Sequence, residues 1–175
     1  MFLYPPARFD ANEWFIILNS LLGFAWVFFA PVRYPHSISI LIVMFCVSAA
    51  IMMDHAIAIP PVDMYDINDR PTYEWMDFFS YFLYAPYALL CVYLYDKLDP
   101  KGLWFTAWII GWSLFCVGYE WLSVQCHVFT FKKWNLMHSF CMYLVMTTIH
   151  VQLFRYLRKH FQDRSESVFP SKTAE

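Results

Sequence analysis

Glycine is scarce in this chain: Gly23, Gly102, Gly111 and Gly118 are the only four in 175 residues. Phosphate-cradling loops need clustered glycines whose amides close around the anion, so nucleotide chemistry of that kind is excluded, and no glycine-rich ion filter is present. Charge is also scarce, at 15% of residues, with 12 Lys and Arg against 14 Asp and Glu. A net charge of -2 offers no basic excess for nucleic acid. The five cysteines, Cys46, Cys91, Cys116, Cys126 and Cys141, are odd in number and lack CxxC spacing. That argues against a disulfide framework, a zinc knuckle or a thiol redox pair, and in favour of small buried hydrophobes. HExxH, HxxxH and Glu-x-x-His patterns are absent, and no internal repeat suggests the duplicated halves of a transporter.

What the chain has in abundance is apolar surface. Hydrophobic residues make up 60% and aromatics 22%, well above an average soluble domain. They fall in five blocks, at about Trp14–Ala30, Ile38–Ile59, Phe78–Tyr95, Leu103–Cys126 and Leu136–Phe154. A helix rises about 1.5 Å per residue and a bilayer core is about 30 Å thick, so each block approaches or reaches spanning length. The fourth, LWFTAWIIGWSLFCVGYEWLSVQC, holds a single charge and lacks the wet stripe of a soluble helix. Pro31, Pro60 and Pro61 mark helix ends, and Pro86 predicts a kink in the third block. Gly111 and Gly118, seven apart, predict a close helix contact. The expected fold is therefore an all-α integral membrane bundle of about five transmembrane helices. Residues 1–154 form the bundle, and residues 155–175 a basic cytoplasmic tail that begins as an amphiphilic helix end and is partly disordered. MFLYPPARFDANEW lacks the charge order of a signal peptide, so the first span is expected to remain as an anchor.

Flanking charge gives orientation. With the N-terminus outside, eight basic residues (Arg33, Lys97, Lys101, Arg155, Arg158, Lys159, Arg164 and Lys172) lie inside, and four (Arg8, Arg70, Lys132 and Lys133) lie outside. The positive-inside rule then predicts N-out and C-in, a multi-pass protein of the cell membrane, and an acidic outer loop carrying Asp63, Asp66, Asp69, Glu74 and Asp77. The basic tail is expected to rest on anionic headgroups. Expected partners are membrane lipids, with a membrane protein partner or homo-oligomer open and nucleic acid not expected.

Ionisable residues at membrane depth are costly and face the bundle interior or water. This topology brings Asp54, His55, Asp77, Glu120, His127 and His138 to one outer level. Glu120, His127, Cys116 and Ser113 share one helical face, as do Asp77, Tyr81, Tyr84 and Ala88; Asp54 and His55, being adjacent, point about 100° apart. The leading expectation is a non-enzymatic structural or partner-binding component in which this polar level fixes packing. One alternative is a membrane enzyme or binding protein acting on a lipid or small solute through Asp54, His55 and Glu120, with His55 as acid or base. A transporter subunit is another. No nucleophile stands out, and whether the chain is an enzyme is left open. A divalent metal suits the His and carboxylate set, and haem would need a second histidine opposite His138 or His150. Neither cofactor is expected on these spacings; His150, His36 and His160 read as packing or interfacial residues.

Several stretches carry a resemblance: DHAIAIP around Asp54, DINDRPTYEWMDFFSYFLYAPY after it, YEW around Glu120 and KKWNLMHSFCMYL before the fifth block. Together they cover most of the chain after residue 50. In these the chain resembles small multi-span membrane proteins of unassigned function from spore-forming Gram-positive bacteria. The resemblance implies a membrane bundle in the cell envelope and assigns no catalytic role to any residue.

Overall fold

The computed structural model describes residues 5–6, 8–68 and 74–168, with side chains as far as Phe161. Five helices form, α1 Ala11–Phe29, α2 His36–Ile57, α3 Trp75–Leu98, α4 Leu103–Gln125 and α5 Leu136–Val168, and each is long and apolar enough to cross a membrane. Their boundaries follow from local chemistry. At the start of α1 the Asp10 amide donates to Glu13 Oε2 at 2.8 Å, satisfying a backbone donor that the first turn leaves unpaired. At the start of α3 the Glu74 amide donates to Asp77 Oδ2 at 2.8 Å. Because Asp77 acts from the third helical position, α3 begins at Trp75, three residues before the apolar block. α2 stops at Ile57, ahead of Pro60 and Pro61.

Two elements were not expected. Tyr65–Ile67 forms a strand, β1, that pairs antiparallel with β2, Phe129–Phe131, in the register Tyr65 to Phe131 and Ile67 to Phe129. The Met64 carbonyl then accepts the amides of Lys132, Lys133 and Trp134 at 3.0–3.1 Å. This ribbon ties the α2–α3 connection to the α4–α5 connection. Outside it, Lys132 Nζ lies 2.8 Å from Asp63 and 2.7 Å from Asp66, and these bonds, Asp63 first, hold its ammonium above the usual lysine range. Asp69 and Arg70 of the acidic segment lie outside the described residues.

The apolar block of α5 ends near Phe154, and the helix continues to Val168, where an amphiphilic helix end is expected. Phe154 and Leu157 are buried, and Phe161 packs against the same core cluster, so a stripe at three- and four-residue spacing carries the helix past the block. The basic segment from Arg155 is thus helical through Val168, and residues 169–175 lie outside the described residues.

α3 is the central helix. Half of its most apolar stretch is buried, against 11–22% in the other four, and it packs against α1, α2 and α5. The rest of the apolar surface faces outward, including Phe28, Phe29, Leu103 and Trp104, as lipid-facing positions require. α3 remains one helix through Pro86, whose ring is buried. Its neighbour is Gly23 of α1, where a Cβ would stand 2.6 Å from Pro86 Cγ. The close helix approach is therefore at Gly23. At Gly111 and Gly118 a Cβ meets nothing within 4 Å, which corrects the expectation of a packed contact there.

The end opposite the ribbon is held by charge. Asp96, in the last turn of α3, accepts from Arg33 Nε at 2.7 Å and from the Arg158 guanidinium. The aspartate side chain is 4% exposed, and the arginines 37% and 48%. One carboxylate thereby joins the α1–α2 connection, α3 and α5. Beside it, burial first and the Asp96 charge second push the Tyr34 hydroxyl up to about 12.

Candidate functional site

Between α2, α3, α4 and α5 lies a cavity of about 200 Å³. Each helix turns small or polar residues toward it at helical spacing. α2 supplies Cys46, Ala49, Ala50, Met53 and Asp54; α3 supplies Tyr84, Tyr87, Ala88 and Cys91; α4 supplies Trp112, Cys116 and Glu120. α5 supplies Ser139, Tyr143, Met146, Thr147 and His150, and the ribbon end supplies Tyr65, Phe129, Phe131 and Trp134. Ser139 and His150 are eleven residues apart, so the cavity runs about 16 Å along α5. It has an aromatic chamber under the ribbon and a stem lined by Ala49, Ala50, Ala88 and three thiols.

Two carboxylates stand in the chamber wall. Asp54 is 8% exposed; its Oδ1 accepts the Tyr65 hydroxyl at 2.5 Å. Glu120 is buried to the same degree. Its Oε1 accepts from Ser139 Oγ at 2.6 Å. Trp134 Nε1 in turn donates to Ser139 Oγ at 2.7 Å. Every one of these partners is a neutral donor. Among the described residues, lysine and arginine are absent from the wall. Tyr65, held outside the helices by β1, shows the effect: burial raises its hydroxyl well above the usual tyrosine range, and Asp54 and then Glu120 raise it further. Removing that hydroxyl strips a donor from a buried acceptor. Tyr65→Phe should lower stability by about 1–3 kcal/mol, read from thermal unfolding of the protein in lipid nanodiscs, whereas Tyr156→Phe, on the exposed face of α5, should leave the midpoint unchanged.

Of the six residues expected at one level, the structure brings only Asp54 and Glu120 to the cavity wall. His55 is exposed, and its Nδ1 lies 2.8 Å from the Ile51 carbonyl; the 100° between neighbours on a helix turns it out of the wall. Asp77 is committed to the α3 start, where its Oδ1 also takes the Asn68 amide at 2.6 Å. His127 is exposed at a φ of 60°, beyond the last residue of α4, so helical spacing does not carry it onto the Glu120 face. His138 is exposed and packs its ring 5.1 Å from Trp134. Among the described residues, no three His, Cys, Asp or Glu side chains stand together at metal-binding spacing.

His150, expected as a packing residue, lines the far end of the stem. It is 7% exposed and packs edge-on to Phe45. Its Nδ1 lies 3.2 Å from the Met146 carbonyl. A carbonyl only accepts, which assigns the hydrogen to Nδ1 and leaves Nε2 an acceptor. That Nε2 is buried with no hydrogen-bond partner among the described residues. The signal for this face was present along α5, where Ser139, Tyr143, Thr147 and His150 follow one another at intervals of four, four and three.

Fold and cavity together define a bundle of five helices, each long and apolar enough to cross a membrane, with an acidic and aromatic cavity between them. No protein-family model, curated protein or solved structure matches the chain.

Proposed function

We propose that this is a multi-pass protein of the cell membrane that binds a small solute or lipid-derived molecule in the cavity between α2 and α5. The observation that carries this reading is the cavity itself. A bundle that used its polar residues only for packing would close around them, because interiors pack to near-crystalline density. Here two carboxylates, four tyrosines and a histidine instead border about 200 Å³ of open volume. The orientation is N-out and C-in by the positive-inside rule, with the ribbon end outside and the Asp96 end inside. The His55 acid–base reading loses support because His55 does not border the cavity, so binding is favoured over catalysis.

The test is chemical extraction. Protein purified gently in native lipid is denatured, and the small molecules released are identified by mass spectrometry. Ala50→Phe, which fills the stem, is handled in parallel. We expect a stoichiometric molecule from the native protein and its loss from the variant, with both proteins folded by circular dichroism. No released molecule, together with a higher melting temperature for Ala50→Phe, would instead favour a structural bundle with a void.

A further inference from the structure

We infer that the cavity selects an organic cation, a slender protonated amine or quaternary ammonium whose charged head sits between Asp54 and Glu120 and whose apolar body lies in the stem. This deepens the binding reading above and rests on it.

Three observations converge. First, the chamber holds two buried carboxylates and, among the described residues, no lysine or arginine in its wall. A carboxylate in a low-dielectric setting is stabilised by a countercharge, and the hydroxyls that bond these two, from Tyr65 and Ser139, are neutral. An occupant with positive charge supplies what the wall does not.

Second, the chamber is aromatic. Tyr65, Tyr143, Trp134 and Phe129 border it. Ring faces carry negative potential and attract cations, ammonium and alkylammonium groups above all. Anionic solutes meet both the carboxylates and the rings unfavourably.

Third, the volume sets the size. A cavity of about 150 Å³ holds benzene, and drug-sized pockets begin near 300 Å³; at about 200 Å³ the occupant is a small elongated molecule.

A charge series at constant shape tests this. Radiolabelled n-hexylammonium, n-hexanol and n-hexanoate are measured by equilibrium dialysis against the full chain in zwitterionic-lipid nanodiscs, with empty nanodiscs subtracted. The expected result is hexylammonium binding at least about tenfold more tightly than hexanol, and hexanoate binding least. Asp54→Asn and Glu120→Gln should each reduce the preference for the cation while leaving hexanol binding in place. Equal binding of hexylammonium and hexanol would overturn the charge inference and leave the ligand-binding reading standing. Preference for hexanoate would overturn it as well. Binding of none of the three would count against both. If either variant fails to fold, the series on the unaltered protein decides.

Discussion

Replacing Arg33 and Arg158 together by alanine should cost about 3–5 kcal/mol of stability, more than any single change at the same site. Asp96 is 4% exposed and holds one arginine on each oxygen. Removing both arginines leaves a carboxylate buried without a charge partner, and desolvation is then uncompensated. Removing one leaves the other in place, so Arg33→Ala and Arg158→Ala alone should each cost less than half as much. Asp96→Asn should also be milder than the double change, because the two guanidiniums are 37% and 48% exposed and can turn to water or to lipid phosphate. The measurement is reversible unfolding in mixed micelles, followed by tryptophan fluorescence, for the three single variants and the double. A double-variant cost equal to the sum of two small single costs would show that Asp96 reaches solvent without help and that the three-way pairing contributes little.

Gly23→Ala should destabilise the protein by about 1–3 kcal/mol, whereas Gly111→Ala should change stability by less than about 0.5 kcal/mol. The added methyl is identical, so the difference isolates packing. At Gly23 it would stand 2.6 Å from Pro86 Cγ and 2.9 Å from Pro86 Cβ. A proline ring cannot rotate away, since its side chain is bonded back to its own nitrogen. Relief requires α1 to move off α3. At Gly111 the methyl enters open space on an exposed face. Thermal midpoints in one detergent suffice for the comparison. A Gly23→Ala midpoint equal to that of the parent would mean that α1 slides on α3 without cost.

The five helices were legible because their signal is long and chemical. A run near twenty residues with few charges has few other folded destinations, and Pro60 and Pro61 punctuate as expected. The ends were less legible. Asp77 looked like a charge at the outer level, yet its carboxylate serves as a cap. The ribbon left almost no trace, since three residues per strand are too few to show alternation. Asp54 and Glu120 could be placed at one depth from topology, but depth does not give azimuth. His55 shares the depth of Asp54 and faces elsewhere. His150 was passed over for the opposite reason: it lies about three helical turns from that level, and only a continuous cavity connects the two.

The central place of α3 bears on how the chain is made. Helices leave the ribosome in chain order, so α1 and α2 are synthesised before the helix against which both pack. Until α3 arrives, the Gly23 face has no Pro86 to receive it, and Arg33 has no Asp96. Insertion of the third span is then the step that converts two waiting helices into a folded unit, and the later α4–α5 hairpin joins a partner already formed. A nascent chain stopped after α2 should expose Gly23 and Arg33 to crosslinking by other membrane components, and one stopped after α3 should protect them.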